Sequence, residues 1–217
     1  MSIEIEMTTA NPWETFMRFT YVTMGKKPPE KTLNKKPNEF DWIRYIKTEH
    51  STLRCIHFII YDRLPKTVVD QLLRATKGHP QPEVESGRPD NTGVPRSTDP
   101  FKLKDFAQEH TAESFLELCK QRLCKRTEEP TRKAVQNWIK YMSKSDDKFL
   151  NALAILAVPQ CVKYCYCPEL ICCGFIDTTD WCIKKSMLNE VLNPSPERIS
   201  VLSVIKSISE GENNGQT

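Results

Sequence analysis

Six residues have the types and order to serve one ligand: Gln71, Arg74, Ser86, Gly87, Arg88 and Arg122. A molecule that joins an anion to a flat polar ring needs guanidinium groups for its charge and an amide for the ring edge. It also needs a glycine where main chain must come close. Taken singly, each arginine reads as a surface ion pair of little energetic weight. Taken together, they describe an anion site. Of the four histidines, His79 is the best placed to meet a phosphate or a ring edge. His50 and His110 fall at element ends, and His57 reads as a core or interface residue.

Six of the nine cysteines crowd between Cys161 and Cys182, with no Cys-x2-Cys pair and no histidine among them. The expectation is reduced thiols acting as small apolar groups, with no metal and no zinc in the Cys-rich tail. No nucleophile stands in a pattern that supplies it with a base, which argues against a hydrolase.

Bulk properties narrow the field further. The 217 residues suit one domain with tails. Lys and Arg number 31 against 28 Asp and Glu, and a net charge of +3 is too weak for a protein that lives on nucleic-acid backbone. No apolar run approaches the roughly 18 residues that span a bilayer, and the N-terminus lacks the order of a secretory signal. A cytoplasmic protein is expected, with no membrane or nucleic-acid partner.

The elements that must position these groups follow from periodicity. "NPWETFMRF" reads as a short strand or helix, and "GKKPPEKTLNKKPNEF" as an exposed connection. "LRCIHFIIYD", apolar on both faces, predicts a buried strand. In "RLPKTVVDQLLRAT", Pro65 suits a first helical turn, and Val68, Val69, Leu72 and Leu73 form one apolar arc. Gln71 and Arg74 then share the opposite side of that helix. Lys77 to Pro100 is rich in Pro and Gly and long enough for a functional loop. Helices are expected over "TAESFLELCKQRLCKR", from about Pro130 to Met142, and over "DDKFLNALAILAVP". Three parts result: an N-terminal segment 1–48, a catalytic domain 49–208 and a disordered tail 209–217.

The order of these motifs resembles the flavin-dependent thymidylate synthases, the ThyX family, in its bacterial and phage forms. "QLLRATKGHPQPEVESGRPD" resembles the family signature of Arg-His-Arg followed by Ser, with Arg74, Ser86 and Arg88 at matching places. "TAESFLELCKQRLCKRTEEPTRKAV" is similar to a later segment whose arginine contacts the pyrimidine, here Arg122. "VPQCVKYCYCPELICCGF" resembles a tail found in some members, and the likeness runs from about residue 50 to 176. Ala75 and Thr76 stand where the signature has His and Arg, Thr111 where the later segment has Asn, and Arg54 and Cys55 where Glu-His often stands.

The resemblance implies an α/β fold, a central twisted β-sheet flanked by helices, with long helices at the subunit interface of a homotetramer. It implies methylation of dUMP at C5 to dTMP, with the one-carbon unit from 5,10-methylenetetrahydrofolate, the hydride from reduced FAD, and NADPH to re-reduce the flavin. Carried over by position, Gln71, Arg74, Ser86, Gly87, Arg88 and Arg122 hold the nucleotide, with Arg122 and Ser86 as catalytic residues. Arg74, Thr76, Lys77, His79 and His50 are the candidates for the flavin. Two other readings stand beside this one: altered one-carbon chemistry such as hydroxymethylation, and a non-catalytic nucleotide-binding paralogue.

Overall fold

The computed structural model describes residues 3–75, 82–86, 88–93, 95 and 97–193. Thr76, Lys77, His79, Gly87 and the tail 209–217 lie outside the described residues. The fold is mixed α and β around a four-stranded sheet in the order β1-β2-β4-β3. The strands are β1 (Glu4–Met7), β2 (His57–Pro65), β3 (Glu83–Val84) and β4 (Leu103–Thr111), and every pairing is antiparallel.

The central pair β2–β4 is in register from His57 opposite Thr111 to Pro65 opposite Leu103. Along β2 the alternation buries Phe58, Ile60, Asp62 and Leu64. The strand therefore has one buried face, not the two that its sequence suggested. Its other face carries the half-exposed pairs His57–Glu109, at 3.1 Å, and Arg63–Asp105, at 3.7 Å. Among the described residues, helices cover one face of the sheet and do not flank it.

Local chemistry fixes where elements begin. Ser51–Cys55 is a 3-10 turn, and β2 starts after it at His57. Pro65 closes β2 in an extended conformation and caps α4 (Lys66–Leu73) from outside. Proline also pushes the residue before it towards extended backbone, so the strand runs on to meet it. Downstream, Thr111 opens α6 (Ala112–Arg122) with a reciprocal capping box to Ser114. Helix α7 (Glu129–Met142) carries Pro130 in its first turn, where a missing N–H costs nothing. Asp147 caps α8 (Lys148–Leu156) by accepting from the N–H groups of Phe149 and Leu150.

The N-terminal part contributes to the same core. Helices α1 (Pro12–Thr23) and α3 (Glu39–Ile46), with a short α2 (Glu30–Leu33) between them, bury Phe16, Met17, Trp42, Ile43 and Ile46. Trp42 meets Phe149 of α8 edge-on at 5.0 Å, and Phe58 meets Phe115 at 5.6 Å. Trp138 of α7 is fully buried, stacks on Phe106 and donates its indole N–H to Asp62 Oδ2 at 2.7 Å. The stretch expected as a long loop supplies an edge strand: β3 pairs Glu83 with Ala107 and Val84 with Phe106. A short helix α5 (Pro89–Thr92) follows, ending at Gly93 with φ +67°, a conformation glycine adopts without steric cost.

Candidate functional site

Three helix ends meet at one corner. Arg122 is the last residue of α6, Gln71 lies in the final turn of α4, and Glu128 caps α7. Arg122 Nη2 donates to the main-chain oxygen of Gln71 at 3.0 Å, and Gln71 Nε2 donates to Glu128 Oε1 at 3.0 Å. Arg74 caps the C-terminal end of α4, is exposed, and among the described residues pairs with no carboxylate.

Two guanidinium groups set the electrostatics of the corner. Burial, and then the nearby charge of Arg74, lower the Arg122 guanidinium from its ordinary value. Arg122 stays charged nonetheless, as arginine does. Its Nε is buried and has no hydrogen-bond partner among the described residues. Two like charges thus lie near a buried donor that has no partner among the described residues. An anion would relieve both defects at once.

The structure therefore brings Gln71, Arg74 and Arg122 together, as the sequence order suggested, and adds Glu128, which the sequence reading missed. Its signal was weak, since a Glu beside Pro130 reads as an ordinary helix start. Ser86 and Arg88 come from a different part of the chain. They follow β3 at the edge of the sheet, and the Arg88 N–H donates to Ser86 Oγ at 3.2 Å, shaping a tight turn.

His50 is exposed and precedes the 3-10 turn, beside Glu49. Glu49 binds Lys120 at 2.7 Å and Lys163 at 2.8 Å, and Lys120 also meets Glu117 at 2.6 Å. That cluster joins α6 to α9 (Gln160–Tyr164). His110, expected at an element end, is fully buried within β4 and stacks on Phe58 at 5.8 Å. His57, expected in the core or an interface, faces out beside Glu109.

Of the residues expected at a flavin, Thr76, Lys77 and His79 lie outside the described residues, and Arg74 and His50 are exposed. Ala75 is buried in the core and presents a methyl group where the resembled signature has an imidazole. A cleft of about 430 Å³ opens at Trp13, Lys35, Trp42 and Asp147, and it contains none of the expected site residues.

The cysteines are all free thiols, and the expectation that they are buried holds for only some of them. Cys119 and Cys161 are buried, but Cys165, Cys172 and Cys182 are exposed. Among the described residues no group of three or more His, Cys, Asp and Glu side chains could hold a metal ion. No described helix is long and apolar enough to cross a membrane.

Fold and corner together define a mixed α and β protein in which two arginines, Arg74 and Arg122, lie where helix ends converge. No protein-family model matches the chain, and no curated protein matches it.

Proposed function

We propose that the Gln71–Arg74–Arg122 corner binds a pyrimidine deoxynucleotide, and that the chain is a thymidylate synthase-like enzyme of the flavin-dependent kind acting at C5 of dUMP. One observation carries this reading. A half-buried arginine with an orphaned Nε stands beside a second arginine that no described carboxylate neutralises. The motif order from "QLLRAT" to "CKQRLCKR" supports it, because that order is what places both arginines here.

In this reading Arg74 meets the phosphate, where a charge-assisted contact is strongest. Arg122 lies against a ring carbonyl, where a fixed positive charge stabilises the negative charge that develops as C5 becomes nucleophilic. Its half-burial strengthens that effect, since screening by water is weaker there. Gln71, held by Glu128 through its Nε2, offers its oxygen to a ring N–H. Ser86 and Arg88 supply further nucleotide contacts in this reading. FAD, NADPH and methylenetetrahydrofolate belong to the proposal as partners, and a homotetramer is its expected assembly.

The buried methyl of Ala75 favours a second reading, in which the nucleotide binds without flavin and the chemistry is altered or absent. A visible absorbance spectrum with and without added FAD, followed by titration with dUMP, separates the two. A flavin spectrum perturbed by dUMP supports the synthase. Nucleotide binding without flavin moves the assignment to the second reading, and no nucleotide binding at all refutes both.

A further inference from the structure

A groove runs between α7 and α10 (Thr179–Leu192), with α8 and the residues just after it as its floor. Its two halves differ in chemistry. The narrow half, of about 250 Å³, is apolar and is lined by Ile155, Val158, Met187, Leu188 and Val191. The wide half, of about 400 Å³, sets Lys125, Arg132, Lys133 and Lys184 around Ala157 and Phe175. Ile139, Val158 and Lys184 line both halves, so the two are continuous. Together they reach the size of small-molecule sites, about 300–1,000 Å³. Neither half contains Gln71, Arg74 or Arg122.

The fold itself uses the cations of the wide half only in part. Lys133 pairs with Glu129 at 2.7 Å, and that carboxylate also feels Arg132. Arg132 Nη1 donates to the main-chain oxygens of Lys125 and Thr127, at 3.1 and 3.2 Å, which fixes the guanidinium without neutralising it. Lys125 Nζ lies 4.5 Å from the centroid of the buried Phe175 ring. Lys184 stands four residues after Asp180, the helical spacing of an ion pair. Even so, among the described residues neither Lys125 nor Lys184 pairs with a carboxylate. Asp180 is the one acid that the described lining sets against these four cations.

The narrow half is an incompletely covered piece of core. Ile139, Ile155 and Val158 pack on the core but stay partly exposed, as does Met187. Covering them with apolar matter is favourable in proportion to the area taken from water. A bare anion would leave this trough wet, and a neutral apolar group would leave the cations unmatched. An anionic head on one apolar chain satisfies both halves. Several cations suit a phosphate monoester, with about −1.5 to −2 charges at pH 7, better than a carboxylate with one.

We propose that this groove binds a single-chain amphiphile with a phosphate monoester head. The chain lies along Ile155, Val158 and Met187, and the head sits among Lys125, Arg132 and Lys184. Lys184, at the junction, covers the start of the chain with its stem and meets the head with its ammonium group. Binding is non-covalent, and the site is independent of the arginine corner.

The test is calorimetric titration of the full chain, prepared without detergent, with decyl phosphate below its micelle concentration. Decanol and inorganic phosphate, the chain and the head alone, are the comparators. Decyl phosphate should bind at about one site per chain, at least about tenfold tighter than either comparator. Lys184→Gln should weaken it by about tenfold or more, the loss of one charge-assisted contact. Met187→Glu, which puts a like charge in the trough, should also weaken it. Lys140→Gln, on the exposed side of α7 and outside the groove, should change nothing. Inorganic phosphate binding as tightly as decyl phosphate removes the trough from the site, and decanol binding as tightly removes the cations; either result overturns the proposal. So does an equal effect of Lys140→Gln and Lys184→Gln, which marks attraction to surface charge alone. Absence of decyl phosphate binding overturns it too, and a lower mass in solution for Met187→Glu would then assign the groove to a second copy of the chain. The three wild-type titrations stand even where a variant does not fold.

Discussion

Arg74→Gln removes a charge from the corner while keeping a polar side chain of similar reach. Two effects on the fold oppose each other. The like charge of Arg122 is relieved, a change worth about 0.2–1 kcal/mol for a solvent-screened pair. The favourable placement of a cation at the C-terminal end of α4 is lost, at about 0.3–1 kcal/mol. These nearly cancel, so the melting temperature should move by less than about 2–4 °C, the shift that 1 kcal/mol produces in a chain of this size. Nucleotide binding has no such compensation. Loss of one charge-assisted contact costs about 1.5–3 kcal/mol, which weakens dUMP binding roughly 10- to 150-fold. Thermal unfolding and calorimetric titration at low and high salt measure both quantities on one sample. Unfolding several degrees lower with unchanged dUMP affinity would show that Arg74 serves the fold, and the nucleotide reading of the corner would fail.

Trp138→Phe leaves the Asp62 carboxylate buried without its indole donor and opens space beside Phe106. The loss should be about 2–4 kcal/mol, read by urea unfolding, and a change under about 1 kcal/mol would refute the weight given to this hydrogen bond. The Glu49 cluster predicts an acid sensitivity. Burial alone would raise the Glu49 carboxyl, but hydrogen bonds from Lys120 and Lys163 outweigh it and hold the group below its ordinary 4.5. A depressed folded value means that the stabilisation is present above about pH 4.5 and is lost as pH falls through the folded value. Glu49→Gln should therefore flatten the fall in stability below that pH, and identical acid profiles for the two proteins would contradict the argument.

Helices α4, α6, α7 and α8 were legible in the sequence because of their apolar arcs, whereas α2 and the start of α3 lie in a stretch that read as an exposed connection. Val68, Val69 and Leu72 do face the core, but Leu73, expected on the same arc, is exposed; Pro130 does sit in the first turn of α7. Strand β4 was invisible for a physical reason: its buried positions are Phe106, Gln108 and His110. Two of the three are polar, so the alternation that marks a half-buried strand is disguised. Pro65 misled in the opposite way, since proline suits both a strand end and a helix start, and pairing with Leu103 decided the matter. At the site, Arg74 and Arg122 were found from residue type and order. The orphaned Arg122 Nε and the Glu128 contact depend on how α4, α6 and α7 converge, which no local pattern encodes.

The order of the strands in the sheet also sets a timetable. During synthesis β1 emerges first, yet its partner β2 begins 50 residues after β1 ends, and β2 in turn waits for β4. At about 5–20 residues per second, the interval between completing β1 and completing β4 is of the order of 5–20 s. For the last part of it, roughly 2–9 s between completing β2 and completing β4, the apolar side chains of β2 have no sheet partner on one edge and no helical cover from α6 to α8. The nascent chain is thus at its most adhesive midway through translation, and the arginine corner is among the last features to form, because α7 must arrive before Glu128 can hold Gln71.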